Sequence, residues 1–485
     1  MTDAPRTHCE LAIVGGGPAG LAAAALAAEL GVETILFDEQ PTPGGQIYRN
    51  IEANSRKHDA LSNILGADYA KGLALVERFR RSGAAYEPLS AVWQVSAAGK
   101  LGVSQKGRAY LTRAGRVILA TGAMERPVPI PGWTLPGVMG AGAAQTLMKA
   151  SGLVPEEPTV IAGSGPLAYL VALQVMKAGA PLSAVIDTSQ KGLFETGFAA
   201  LPVLSGFGRD LLKGLSWMAA LRKARIPVFS GRNLAVEGIS RVEAVSFETR
   251  GKRQRLSASL LLLHEGVVPN NQITASLRCR HVWDTAQMAW RPWTDEWGAT
   301  STELVAVAGD GAGISGARAA AHRGRLAALD AACRIGRISR AERDERALPE
   351  RRHLQREARF RAFLDSTYRP TEAVRRLADE AIACRCEEVT AGELRAFVAE
   401  GFTDINQLKS FSRCGMGQCQ GRMCGGTVAR VLAQSLETDI ETVGYYRLRL
   451  PVKPLPVAQL AELGNAERDL RPSPMGVDGD PSQRV

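Results

Sequence analysis

The chain has 485 residues, 45% hydrophobic and 22% charged, which excludes a wholly disordered polypeptide and predicts about three domains. Fifty glycines with no three-residue period exclude collagen and point to many tight turns. The net charge of +10 suits nucleic acid, an anionic cofactor or an acidic partner. Much of that excess lies between Arg334 and Arg361, where acids are interspersed and aromatics are few, so that stretch reads as a solvated or partner-docking helix.

In chain order, LAIV (11–14) reads as a buried strand. GGGPAG follows, then the Ala-rich helix LAAAALAAEL, then the strand ETILF, which ends at Asp38. Gly15, Gly17 and Gly20 thus form a G-x-G-x-x-G between strand and helix. The first glycine permits the tight turn, the second lets the backbone approach a pyrophosphate, and the third lets helix and strand pack closely. The helix N-terminus supplies free N–H groups for the phosphate. Asp38 is placed to bind ribose hydroxyls, with Glu39 as the alternative.

Further pieces have the same character. PGGQ contributes Gly45 and Gln46, VILATGA contributes Thr121 and Gly122, and VAVAGD ends in Gly309-Asp310. A second strand–loop–helix begins at Thr159, where Gly163, Gly165 and Ala168 form G-x-G-x-x-A and Asp187 ends the next strand. An acid there favours a ribose 2′-hydroxyl over a 2′-phosphate. Two readings stand for this second loop: an NAD(P) or other adenine-nucleotide site, or a retained fold. Strands alternating with helices at this spacing predict parallel sheets and the α/β class.

The opening residues carry no apolar leader, and no uncharged apolar run reaches about 18 residues, so the expectation is a cytoplasmic protein without a membrane span. Five of the eight cysteines fall between Cys384 and Cys424, which favours a metal or cluster site in a reducing compartment. Cys384 and Cys386 form a C-x-C and put two thiolates on one turn. Cys419 and Cys424 form a C-x4-C and offer two more, while Cys414 is a fifth candidate. Four thiolates suit an iron–sulfur cluster or zinc. The expected organisation is a first dinucleotide-binding domain over 1–125 and 271–335 and a second over 126–270. A helical linker (336–375), a cysteine module (376–440) and an extended or disordered Pro-containing tail (441–485) follow. The six scattered histidines form no catalytic constellation, so no catalytic acid–base residue is assigned.

These motifs together resemble flavoprotein reductases with two dinucleotide-binding domains, of glutathione-reductase type. That resemblance implies FAD at the first site, Asp310 beside the flavin ribityl chain, and NAD(P)H at the second. Disulfide chemistry is not expected, because neither the region after PGGQ nor the segment 133–165 contains cysteine. The cysteine module resembles bacterioferritin-associated ferredoxin, which implies one 2Fe–2S cluster, although that family closes with C-x2-C. ERPVPIPGWTLPGVMGAGAAQ (125–145), HEGVVPN (264–270) and CGMGQCQGRMCG (414–425) look like the A (α) subunits of opine oxidases. Hydroxyproline dehydrogenase α subunits and the B subunit of hydrogen cyanide synthase are similar. The family implies an electron-transfer component of an amine or imino-acid dehydrogenase. Its partners would be an external electron acceptor, a D-amino-acid-oxidase-like flavoprotein (β) subunit, and a small 2Fe–2S (γ) subunit. The rival expectations are a self-contained NAD(P)H-dependent FAD reductase or a hydrogen cyanide synthase-type glycine-oxidising subunit.

Overall fold

Short apolar runs make the centre of the first sheet. The computed structural model describes residues 6–57, 60–189 and 204–469. His8–Val14 lies between Thr34–Phe37 and Arg108–Leu119, parallel to both, with Leu11, Ala12 and Ile13 fully buried. Ala85–Glu87 extends one edge in parallel, and Lys100–Gln105 and Ser90–Val95 add antiparallel strands on the other side. Val305–Val307 then pairs with Arg108–Leu119, so the sheet is completed by a distant part of the chain. The helix that follows, Ala317–Ile335, packs on Pro18–Glu29. The contact is close because Gly324 has no side chain; a Cβ there would collide with the backbone of Ala19.

The second sheet is wholly parallel. Thr159–Gly163 sits between Leu182–Asp187 and Leu260–His264, with Val228–Ser230 and Val138–Gly140 at the edges. A three-stranded antiparallel sheet, Arg232–Glu237, Ala244–Thr249 and Lys252–Ser257, adjoins it in sequence. Ala123–Glu125 and Val267–Pro269 form an antiparallel ribbon where the chain leaves the first sheet and returns. The expected α/β class with two Rossmann-like sheets is therefore present. The antiparallel strands of the first sheet are an addition that the sequence pattern does not distinguish.

Arg340–Thr367 is one helix, capped where Glu342 donates its backbone N–H to Ser339 Oγ at 3.1 Å. It is less solvated than its composition implies. Arg343 and Arg351 lie 4.1 and 4.5 Å from the Trp297 ring, and Glu350 pairs with Arg325 at 2.8 Å. Three short helices, Ala391–Ala399, Ile405–Ser412 and Gly425–Ser435, then enclose their own core of Leu394, Leu408, Val428 and Leu432.

The tail departs from the expectation of an extended or disordered segment. Tyr446, Leu448 and Val452 are buried, and Val452 N–H donates to Trp93 O at 3.0 Å. Val457–Asp469 forms a helix, with Ser104 Oγ donating to Gln459 Oε1 at 2.7 Å. Alternating apolar and aromatic residues let this segment pack on its own chain, and its proline content does not keep it free. Residues 470–485 lie outside the described residues. No helix among the described residues is long and apolar enough to cross a membrane.

Candidate functional site: a dinucleotide cradle and a thiol cluster

The first glycine loop separates packing from binding. A Cβ on Gly15 (φ +110°) would collide with the carbonyl of Ala120, and one on Gly20 with the carbonyl of Gly15. Those two glycines seat the loop on the sheet. A Cβ on Gly17 would meet only Gly45 Cα, at 3.9 Å, so open space remains at the N-terminus of Pro18–Glu29. PGGQ folds against this opening: Gly44 N–H donates to Gly16 O at 2.8 Å, and a Cβ on Gly45 (φ +60°) would stand 2.6 Å from Gly17 Cα. Gly16 is not part of the sequence motif, yet a Cβ there would strike the Asp38 carboxylate. The run of three glycines is the signal that could have found it.

Asp38 is buried beside this loop. Its Oδ1 accepts from Gln40 N–H at 3.1 Å, and Tyr86 OH donates to Oδ2 at 3.4 Å. Burial pushes its carboxyl up to about 6, opposed by the Gln40 N–H and by Arg49. Glu39 is exposed and pairs with Lys453 from the tail. Burial pulls the Lys453 ammonium down to about 8, with Asp38 opposing that shift. Neither Lys453 nor Tyr86 is visible as a site residue in the sequence, since neither lies in a motif.

At the other end, Asn270 Nδ2 donates to Thr121 O at 3.2 Å, and Gly122 (φ +65°) has open space where a Cβ would be. Asp310 Oδ1 accepts from Ser315 N–H at 2.8 Å and Gly316 N–H at 3.0 Å, so this acid braces the turn that leads into the helix Ala317–Ile335. Gln46 Oε1 accepts from Arg49 at 2.9 Å, and Lys149 Nζ donates to Gln46 O at 3.3 Å. Burial pulls Lys149 down to about 7, with Arg49 adding to the shift. Open space at Gly17 and Gly122, a helix N-terminus and a buried acid together fit the pyrophosphate and ribose of a dinucleotide.

The second loop is built on the same plan. Gly163 approaches the backbone of His264, and Ala168 is buried in the helix Pro166–Lys177. Asp187 already accepts from Tyr169 OH at 2.5 Å and from Ser189 N–H at 2.8 Å. Tyr368, at the end of the long helix, lies against Gly165, 3.8 Å from where its Cβ would be. Gly17 has the same clearance, 3.9 Å to Gly45 Cα.

The cysteines converge. The Sγ atoms of Cys384, Cys414 and Cys424 lie within 4.8 Å of one another, all three residues buried. Cys386 is exposed and shares a thiol hydrogen bond with Cys419. Spacing alone groups Cys384, Cys386, Cys419 and Cys424; the structure adds Cys414 to the buried set. Hydrogen bonds from the Cys414 and Cys424 thiols, helped by Gly415 and Glu387 N–H groups, hold Cys384 at about 2, well below an ordinary thiol. The same contacts push Cys414 and Cys424 up. Three thiols sharing one negative charge are a soft donor set that fits iron or zinc. Cys9 and Cys279 are buried elsewhere, and burial pushes Cys9 up to about 12.

The fold and the first cradle define a flavoprotein oxidoreductase with two dinucleotide-binding units. Residues 9–334 match the pyridine nucleotide-disulphide oxidoreductase family, and residues 382–463 match the sarcosine oxidase A3 domain. The chain is 42% identical to the opine oxidase A subunit of Rhizobium meliloti, over 96% of this chain and 90% of that protein. It is 34% identical to hydrogen cyanide synthase subunit HcnB of Pseudomonas aeruginosa, over 93% of this chain and 98% of that protein. Among solved structures, L-proline dehydrogenase from P. horikoshii shares the fold with a TM-score of 0.69 at 18% identity, covering 94% of this chain and 80% of that one. The chain thus belongs to the pyridine nucleotide-disulphide oxidoreductases and, within them, to the family of the opine oxidase A subunits.

Proposed function

We propose that this chain is the FAD- and 2Fe–2S-containing electron-transfer subunit of a hetero-oligomeric amine or imino-acid dehydrogenase of the opine oxidase or hydroxyproline dehydrogenase type. The observation that carries this reading is the convergence of Cys384, Cys414 and Cys424, with the Cys386–Cys419 pair beside them, in a module docked on the flavoprotein core. Trp133 Nε1 donates to Ile382 O at 2.8 Å across that junction. A flavin accepts two electrons and a 2Fe–2S cluster takes one at a time, so the pair suits a relay to an external acceptor. Gly17, Gly45 and the N-terminus of Pro18–Glu29 receive the pyrophosphate, and Asp38 holds the ribose. Cys384, Cys414 and Cys424 supply three thiolates, with Cys386 or Cys419 as the fourth.

The sequence offers no catalytic acid–base constellation for C–N oxidation, which supports a partner that supplies one. That partner is a D-amino-acid-oxidase-like flavoprotein subunit, with a small 2Fe–2S subunit completing the complex. Relatives named as subunits support a multi-subunit assembly. Gly165 and Asp187 repeat the clearance and the hydrogen-bond pattern of Gly17 and Asp38, which supports NAD(P) or another adenine nucleotide at the second loop. The test is dye reduction with an opine or proline derivative. The chain alone should give no useful rate, and co-expression with the partner subunit should restore it. A monodisperse single chain that dehydrogenates the substrate unaided, or rapid flavin bleaching by NADH, would overturn the relay.

A further inference from the structure

A cavity of about 50 Å³ lies between the flavoprotein core and the cysteine module. Its walls come from both sides. Arg126 follows the ribbon strand Ala123–Glu125, Asn271 follows Val267–Pro269, and Trp290 lies on Ala289–Pro292. Arg430 comes from the module helix Gly425–Ser435.

Two buried guanidiniums face this space without a carboxylate partner among the described residues. Arg126 is 6% exposed and donates only to the backbone oxygens of Glu265, Met288 and Gln287, at 3.0, 2.9 and 2.5 Å. The Glu265 carboxylate lies near it but already accepts from Thr188 at 2.6 Å and Thr371 N–H at 3.2 Å. Arg430 is 7% exposed and reaches only Thr427 Oγ1, at 3.5 Å, while its Nε has no partner. The Trp290 indole N–H is also unpaired, in a residue 8% exposed. Asn271 Nδ2 donates to Trp290 O at 2.6 Å, leaving its Oδ1 as an unpaired acceptor. Burial lowers Arg126 to about 10, opposed by Glu265, and lowers Arg430 to about 9, with Arg126 adding to the shift.

An unpaired buried charge is costly, and a buried polar atom without a partner adds to the cost. One occupant resolves those at Arg430, Trp290 and Asn271. We infer that the cavity binds a small carboxylate that also carries a hydrogen-bond donor, its oxygens on Arg430 and Trp290 and its donor on Asn271 Oδ1. At about 10–15 Å³ of such volume per water-sized group, the space holds roughly three to five non-hydrogen atoms, the size of glycolate or glycine. Because its walls belong to both units, the ligand joins the module to the core. The cavity adjoins the dinucleotide cradle at Met124 and Asn271 and the thiol cluster at Met423, and it stands on other observations than the proposed relay.

The purified full-length chain tests this by thermal melting and tryptophan fluorescence, titrated at fixed ionic strength with glycolate, glycine, acetate and chloride. Glycolate or glycine should give a saturable rise in Tm and a change in emission. Acetate, lacking the donor, should bind roughly tenfold more weakly, and chloride should have no saturable effect. Arg430→Gln should abolish the response. Trp290→Phe keeps the ring and removes one N–H, so it should fold and lose roughly three- to tenfold in affinity. Equal responses to chloride and glycolate would overturn the assignment, as would unchanged affinity in Trp290→Phe.

Discussion

Lys453 pairs with Glu39, and so ties the segment that follows the cysteine module to the residue beside the buried acid Asp38. The tail thereby crosses from the thiol cluster, where Tyr446 packs against Gly415 and Gly421, to the ribose end of the dinucleotide cradle. Lys453 also offsets the Asp38 charge. Lys453→Met should therefore weaken retention of the flavin nucleotide about three- to tenfold while lowering stability by less than about 1 kcal/mol. Release of fluorescent FAD on dilution measures the first effect and a urea melt the second. Unaltered FAD retention would remove Lys453 from the site.

The glycine loop predicts two different failures. Gly17→Val places its side chain in open space, so the chain should fold and lose flavin. Gly20→Val drives a Cβ into the Gly15 carbonyl, so it should lose the fold. Flavin absorbance beside circular dichroism separates the two. A folded Gly17→Val protein with full FAD content would refute the cradle assignment.

Burial raises the Asp38 carboxyl to about 6, above its unfolded value near 4. A raised acid contributes stability that is fully present below about pH 4 and is lost as pH rises through about 6. In the flavin-free chain, Asp38→Asn should therefore stabilise at pH 8 by on the order of 2 kcal/mol and give no such gain at pH 4. Urea unfolding at the two pH values checks the sign. An equal effect at both would show that the charge is not the cause.

Cysteine substitutions test the ligand set. The protein should carry about two irons and two sulfides, with a rhombic EPR signal on reduction. Cys384→Ser, Cys414→Ser and Cys424→Ser should each lose it, because their sulfurs share one buried site. Cys333→Ser should leave it intact. Full iron content in Cys414→Ser would return the set to the four cysteines expected from spacing.

Deleting residues 445–485 should strip the module of its metal as well as weaken assembly. Tyr445 and Tyr446 line the Cys-bearing loop, and Gly415, Gly421 and Gly425 each leave room for one of these rings. Iron analysis and size-exclusion chromatography of the truncated chain read both effects. Retained iron would confine the tail to docking.

Local pattern was enough for much of this protein. Strand–glycine-loop–helix units at Val14 and Gly163, the acids at their strand ends and a cysteine-dense segment were all legible, because each depends on residues close in sequence. Tertiary structure alone decided the rest. Spacing groups Cys386 with Cys384, yet Cys414 is the residue whose sulfur meets Cys384 and Cys424, since which thiols converge depends on how three helices pack. Lys453 meets Glu39, and Arg430 faces the same cavity as Arg126, across separations that no periodicity records. Burial is a property of the whole fold. It turns a Pro-containing tail into a strap, and it leaves Arg430 Nε without the water that would otherwise satisfy it.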